Sequence, residues 1–190
     1  MKQLLTAKEL EEGVDQLAAR LRREYLGRPL TVVGVLTGSI VLLADLIRRL
    51  DLPLRVGLIQ ARSYRGAATT PGELTVNADL LPDVKNREVL LLDDIFDTGH
   101  TLERLLTDIR ALGPISIRSA VLLRKEGRSE VDFEPDYVVF EIPDAFVVGY
   151  GLDFHDAYRN LPYVAALDDE IANVDLDELP PPGDCDPRDC

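Results

Sequence analysis

Cysteine is nearly absent from this 190-residue chain: Cys185 and Cys190 are the only two, both within the last six residues. A disulfide framework is thereby excluded and a cytoplasmic setting is expected. A C-x4-C pair with no further cysteine and no nearby histidine points to a solvated tail rather than a metal site. Long apolar runs are missing too. The longest uncharged stretch, Pro29–Ala44, has 16 residues and contains Pro, Gly, Ser and Thr, whereas a membrane-spanning helix needs about 20 mostly apolar residues. Lys8 and Glu9 interrupt Leu4-Leu5 before a secretory apolar region can form, so neither an export signal nor a membrane partner is expected. Positive charge is also short. Against 34 Asp plus Glu stand 21 Lys plus Arg, a net charge of −13, which disfavours binding nucleic acid through its phosphates. No internal repeat is visible.

What is present reads as one domain with an acidic end. Residues 168–190 hold nine acids and one Arg, so −8 of the −13 lies there, and such a segment buries too little apolar surface to order itself. Hence a domain is expected over 1–167 and a flexible tail over 168–190. Thr6-Ala-Lys-Glu9 is a capping box, followed by Leu10, Val14, Leu17 and Leu21 on one helical face that ends near Gly27. Leu30–Leu36 has the β-branched apolar pattern of a strand buried on both faces. Helical spacing resumes at Ile40, Leu43, Ala44, Ile47 and Leu50, and Leu54–Ala61 reads as a strand. Between Ser63 and Asp79 periodicity lapses into a Gly-, Thr- and Pro-containing stretch, the signature of a functional lid. Val89–Leu92 is a further buried strand. A helix follows with Leu102, Leu105, Leu106, Ile109 and Leu112 on one face and a Gly113-Pro114 stop. Ile115–Leu123, Tyr137–Phe140 and Phe146–Val148 complete the strands. This alternation predicts an α/β fold with a central, mainly parallel sheet flanked by helices.

The chemistry concentrates in Val89-Leu-Leu-Leu-Asp93-Asp94-Ile-Phe-Asp97-Thr98-Gly99-His100-Thr101. A buried strand ends in two adjacent carboxylates, and a Thr-Gly turn then opens a helix. Such a turn offers unpaired backbone N–H groups and the positive end of the helix dipole to a phosphate monoester. Gly99 permits close backbone approach, and the hydroxyls of Thr98 and Thr101 can add hydrogen bonds. Carboxylates at the carboxyl end of a strand sit where open α/β sheets bind ligands. Beside a phosphate turn they suggest a polyol such as ribose, with Mg²⁺ nearby. Three acids in five residues exceed what helix capping requires.

This stretch resembles the ribose-5-phosphate motif of the type I phosphoribosyltransferases. The resemblance covers roughly residues 5–167 and narrows to the hypoxanthine-guanine branch through Leu36-Thr37-Gly38-Ser39, Ser63-Tyr64, Leu122–Lys125, Ile142–Asp153 and Arg159. It implies a small hood formed by the chain ends. It also implies transfer of the 5-phosphoribosyl group from 5-phosphoribosyl-1-diphosphate to N9 of hypoxanthine or guanine, which is purine salvage. By this resemblance Asp93 and Asp94 hold the ribose hydroxyls, and Asp97 is the general base at purine N7. Thr98, Gly99, His100 and Thr101 hold the 5′-phosphate. Lys125 donates to the 6-oxo group, Phe146 stacks on the base, and Val147 offers backbone groups to its edge. Asp153 lies at the purine and, with Asp93 and Asp94, serves Mg²⁺. Thr37, Gly38 and Arg159 bind pyrophosphate, the Thr37-Gly38 loop being one that a non-proline cis peptide often holds in relatives. Ser63 and Tyr64 head the lid. Self-association as a homodimer or homotetramer is implied as well.

Read without the family, Phe146 is an ordinary core aromatic and Lys125 a surface cation at a strand end. Asp93 stands where the family usually has Glu, and His100 where Lys or Asn is expected. Two other readings stay open on the same scaffold. One is an RNA-binding pyrimidine-operon regulator, opposed by Asp97 and by the negative net charge. The other is an enzyme for xanthine; the Lys125 donor argues against adenine.

Overall fold

In the computed structural model, which describes residues 1–63 and 74–167, the elements run β1 (Lys2–Leu5), α1 (Ala7–Tyr25), β2 (Leu30–Leu36), α2 (Ile40–Arg49), β3 (Arg55–Ser63), β4 (Leu74–Asn77), β5 (Glu88–Phe96), α3 (His100–Arg110), β6 (Ser116–Lys125), β7 (Tyr137–Ile142), β8 (Val147–Val148) and β9 (Val164–Ala166). The capping box forms as its spacing predicts. The Glu9 amide donates to Thr6 Oγ1 (3.2 Å) while the Thr6 amide donates to Glu9 Oε2 (2.8 Å), satisfying two otherwise unpaired N–H groups. Leu10, Val14, Leu17 and Leu21 are all buried.

The second helix carries its predicted spacing one residue out of phase. Leu42, Leu43 and Leu46 are buried on α2, whereas Ile40 is 46 % exposed. Four consecutive apolar residues, Ile40–Leu43, leave the phase of the stripe undetermined by periodicity alone, and packing against β2 and α1 decides it.

Six strands form one sheet in the order β4-β3-β2-β5-β6-β7, all parallel except the β3–β4 pair. The central strands are buried on both sides, and alternate residues feed two cores. Val32, Leu90, Leu92 and Leu122 pack with α1 and α2, while Val33, Val89, Leu91 and Val121 pack with α3. Since α2 follows β2 on one face and α3 follows β5 on the other, the chain changes sides between two neighbouring strands. Such a switch point opens a crevice at the carboxyl ends of the strands.

Two expectations need correction. The Ser63–Asp79 stretch is not wholly irregular, because Leu74–Asn77 pairs antiparallel with Gln60–Ser63; a four-residue strand flanked by Gly, Pro and Asp shows no periodicity until an edge accepts it. The strand before the carboxylates is longer than Val89–Leu92, since pairing with β6 continues to Phe96. Asp93 and Asp94 therefore lie within β5. Strands β1 and β9 carry no sequence signal of their own, four and three residues long. They pair across almost the whole described chain, Lys2 opposite Ala166, and with β8 form the second sheet, β1-β9-β8. This is the expected hood.

Candidate active site

A cleft of about 310 Å³ lies at the switch point. Thr37 and Gly38 reach it from the turn after β2, Asp93 and Asp94 from β5, Asp97, Thr98, Gly99 and Thr101 from the turn that leads into α3 and its first residues, and Asp153 and Arg159 from the segment under the hood. The sequence places these residues up to 122 positions apart, and the fold gathers them. The turn after β2 contains a non-proline cis peptide at Leu36–Thr37, one bond earlier than Thr37-Gly38. Gly38 is required there sterically, because a Cβ would lie 1.5 Å from Asp94 Oδ2.

Asp93 is buried. Burial, and then the charge of Asp94 beside it, push its carboxyl well above the usual carboxylate range. Burial also raises Asp94, opposed by hydrogen bonds and by the Arg159 charge. The Asp94 amide donates to Asp93 Oδ1 (3.0 Å) and the Ile95 amide to Asp94 Oδ1 (2.9 Å), which fixes both side chains. Two desolvated neighbouring carboxylates are under-solvated acceptors, a state that polyol hydroxyls or a cation would relieve. Downstream, Gly99 caps α3 with φ 91° and no side chain caps the helix, so the N–H groups of its first turn are left for a ligand. A Cβ at Gly99 would meet Val131 at 2.4 Å. His100 does not join this turn's concave side: its exposed ring bonds Glu130 (3.0 Å).

Asp97 sits between two cations. Lys125 Nζ donates to Oδ2 (3.1 Å) and Arg128 Nε to Oδ1 (3.0 Å). Burial raises its pKa, but the hydrogen bonds and charges of Arg128 and Lys125 outweigh this and hold the carboxyl below its usual range. The group is thus ionised at neutral pH and able to accept a proton. The side chain of Lys125 is only 12 % exposed and also faces Asp144 (3.6 Å), so the surface reading of this lysine fails. Parallel pairing with β5 brings the end of β6 beside Asp97. Arg128 escaped the sequence reading; its one signal is its place three residues after Lys125, across Gly127 (φ 69°), which turns the chain back.

On the hood side, Arg159 Nη2 pairs with Asp153 (2.7 Å) while Nη1 donates to the Gly151 carbonyl (2.8 Å). Phe146 corrects another expectation: it is not core but 48 % exposed, with its ring edge-on to Phe154 at 5.5 Å between centroids. Neither Phe146 nor Val147 lines the cleft itself. Val147 is buried in β8, opposite Ala166. Ser63 ends β3, and Tyr64 lies outside the described residues, as do the tail from Asp168 and both cysteines. Among the described residues no three Asp, Glu, His or Cys side chains converge as a ready metal cage. The cleft carboxylates are oxygen donors of the kind Mg²⁺ takes in ones and twos, with substrate oxygens completing its shell.

Comparison with known proteins agrees with this geometry. Residues 1–155 match the phosphoribosyl transferase domain, and the chain belongs to that family. A hypoxanthine-guanine phosphoribosyltransferase from Staphylococcus aureus is 39 % identical over 168 residues, 88 % of this chain and 94 % of the relative. One from Staphylococcus epidermidis is 38 % identical over the same shares. Among solved structures, a Staphylococcus aureus hypoxanthine phosphoribosyltransferase superposes with a TM-score of 0.84 at 38 % identity, covering 90 % of this chain and 93 % of that one. A Bacillus anthracis hypoxanthine-guanine phosphoribosyltransferase gives 0.82 at 35 % identity, covering 88 % and 98 %.

Proposed function

We propose that the protein is a hypoxanthine-guanine phosphoribosyltransferase, moving the 5-phosphoribosyl group of 5-phosphoribosyl-1-diphosphate to N9 of a 6-oxopurine. The observation that carries this reading is the approach of Lys125 to Asp97 at 3.1 Å, which sets a donor for the 6-oxo group beside a carboxylate for the N7 proton. N9 attacks C1′ as the bond from C1′ to the diphosphate oxygen breaks, the electron pair leaving with pyrophosphate. Asp97 takes the proton from N7, while Asp93 and Asp94 hold the ribose hydroxyls. Thr98, Gly99 and Thr101 cradle the 5′-phosphate at the α3 N-terminus, and Thr37, Gly38 and Arg159 receive the pyrophosphate. Phe146 and the Val147 backbone border the base.

Asp153, Asp93 and Asp94 would offer carboxylate oxygens to Mg²⁺ in ones and twos, with substrate oxygens completing its shell. When bound, the ion neutralises charge on the diphosphate leaving group. A 6-amino purine would set donor against donor at Lys125, which predicts strong rejection. Residues 1–167 form the catalytic domain, and truncation after Asp169 is expected to leave turnover intact; a folded but inactive truncation would contradict that boundary. No described helix is long and apolar enough to cross a membrane; a cytoplasmic, self-associating enzyme is the reading the family supports, and light scattering gives the oligomer size. The deciding experiment is an ultraviolet assay with 5-phosphoribosyl-1-diphosphate and Mg²⁺, offering hypoxanthine, guanine, xanthine and adenine separately. Turnover with the first two is expected. Turnover only with xanthine or adenine, or with none, would refute the assignment.

A further inference from the structure

Tyr150 is buried and does not line the cleft, yet its backbone is in the left-handed region at φ 50°, between Gly149 (φ 96°) and Gly151 (φ 103°). A tyrosine keeps that conformation only where its surroundings enforce it. Here its hydroxyl donates to Asp45 Oδ2 on α2 (2.7 Å) and its amide to the Leu161 carbonyl (2.8 Å). Asp45 is itself held by Arg49, which also pairs with Glu11 and Asp15 of α1. The tyrosine therefore ties the turn under the hood to a rigid helix pair.

What this turn carries is the pyrophosphate side of the cleft. Gly151 donates its amide to the Arg159 carbonyl (3.0 Å) and accepts from Arg159 Nη1. It also presses on the loop after β2, since a Cβ at Gly151 would lie 2.1 Å from the Gly38 carbonyl oxygen. Helix α2 begins directly after that loop. The two walls that meet at pyrophosphate, Thr37-Gly38 and Arg159, are thus joined by the contact of Gly151 with Gly38 and, behind it, by the partly buried hydrogen bond from Tyr150 to Asp45. We propose that Tyr150, acting through Asp45, is a positioning residue that fixes the spacing of Arg159 against the Thr37-Gly38 loop and so tunes affinity for the diphosphate. This rests on the pyrophosphate site assigned above.

The test is Tyr150→Phe in the full chain, which keeps the ring and removes the hydroxyl. A partly buried hydrogen bond to a carboxylate acceptor is at stake, so KM for 5-phosphoribosyl-1-diphosphate and Ki for pyrophosphate are each expected to rise about tenfold. KM for the purine base stays within about twofold, because the base side of the cleft is held by other contacts. Asp45→Asn gives the same selective loss, and the double variant no more than either alone. Should Tyr150→Phe fail to fold, Asp45→Asn carries the test. A purely structural role would lower the melting temperature while leaving both diphosphate constants in place, or would move them together with the base constant; either result overturns the proposal. Arg159→Ala separates the levels. If it leaves both diphosphate constants unchanged, the site assignment falls and this proposal with it. If it raises them while Tyr150→Phe does not, the proposal alone falls.

Discussion

Gly38→Ala is the substitution whose outcome the geometry prescribes most tightly. The new Cβ would stand 1.5 Å from Asp94 Oδ2 and 2.4 Å from its Cγ, whereas real Cβ contacts stay beyond 3.0 Å. The carboxylate must therefore retreat by at least 1.5 Å or the loop must rise by as much. Asp94 cannot rotate away freely, because its Oδ1 accepts the Ile95 amide and the buried Asp93 lies alongside. A displacement of about 1 Å in a reacting geometry can cost on the order of 100-fold in rate. We therefore expect kcat/KM for 5-phosphoribosyl-1-diphosphate to fall at least about 100-fold, equivalent to roughly 2.7 kcal/mol of transition-state stabilisation. The purine KM should change little. Steady-state kinetics alongside a thermal melt decide the matter. Gly27→Ala is the control: a Cβ there meets nothing within 4 Å although φ is +73°, so it should lose a little stability and no activity. A Gly38→Ala enzyme retaining kcat/KM within about threefold would refute the argument, since the predicted penalty is two orders of magnitude.

Other expectations concern the base side of the cleft. Asp97→Asn should lower kcat by about 100-fold or more while nucleotide affinity changes little, as for loss of a general base; unchanged turnover in a stopped assay removes Asp97 from the mechanism. Because Arg128 and Lys125 hold Asp97 below the usual carboxylate range, the acid limb of kcat/KM should fall at low pH, below that range. Arg128→Ala removes one of the lowering charges, so the limb should move up in pH, and a stationary limb would mean Arg128 does not act on Asp97. Lys125→Ala should reduce the preference for 6-oxo over 6-amino bases by about tenfold or more, measured as a ratio of kcat/KM values. Phe146→Ala should raise the base KM by roughly tenfold through loss of a stacking face; its ring is half exposed, so the melting temperature should hardly move, and a large drop would mark it as structural.

Much of this protein could be read from local pattern. The capping box at Thr6 and Glu9, the apolar stripe of α1, the apolar runs within β2 and β5 and the Gly99 turn each depend on neighbours within a few residues. Such signals survive in the sequence because short-range sterics and hydrogen bonding produce them. The acids at Asp93, Asp94 and Asp97 are legible for the same reason, since a strand end followed by a helix start places them together whatever the rest of the chain does.

The tertiary structure decided what depends on distant partners. Burial of Lys125 beside Asp97, and the capture of Asp97 by Arg128, follow from parallel pairing of β5 with β6. The phase of α2 was set by packing against its neighbours, not by its own four apolar residues. β1 and β9 exist only through pairing with each other and with β8, and Phe146, beside β8, is left half exposed and outside the core. The vicinal carboxylates owe their raised pKa values to desolvation, which composition cannot convey. The contacts of Gly38 with Asp94 and Gly151 are likewise invisible in a linear text. Local conformation is encoded residue by residue, but a cleft is a property of the surfaces that separate elements bring together.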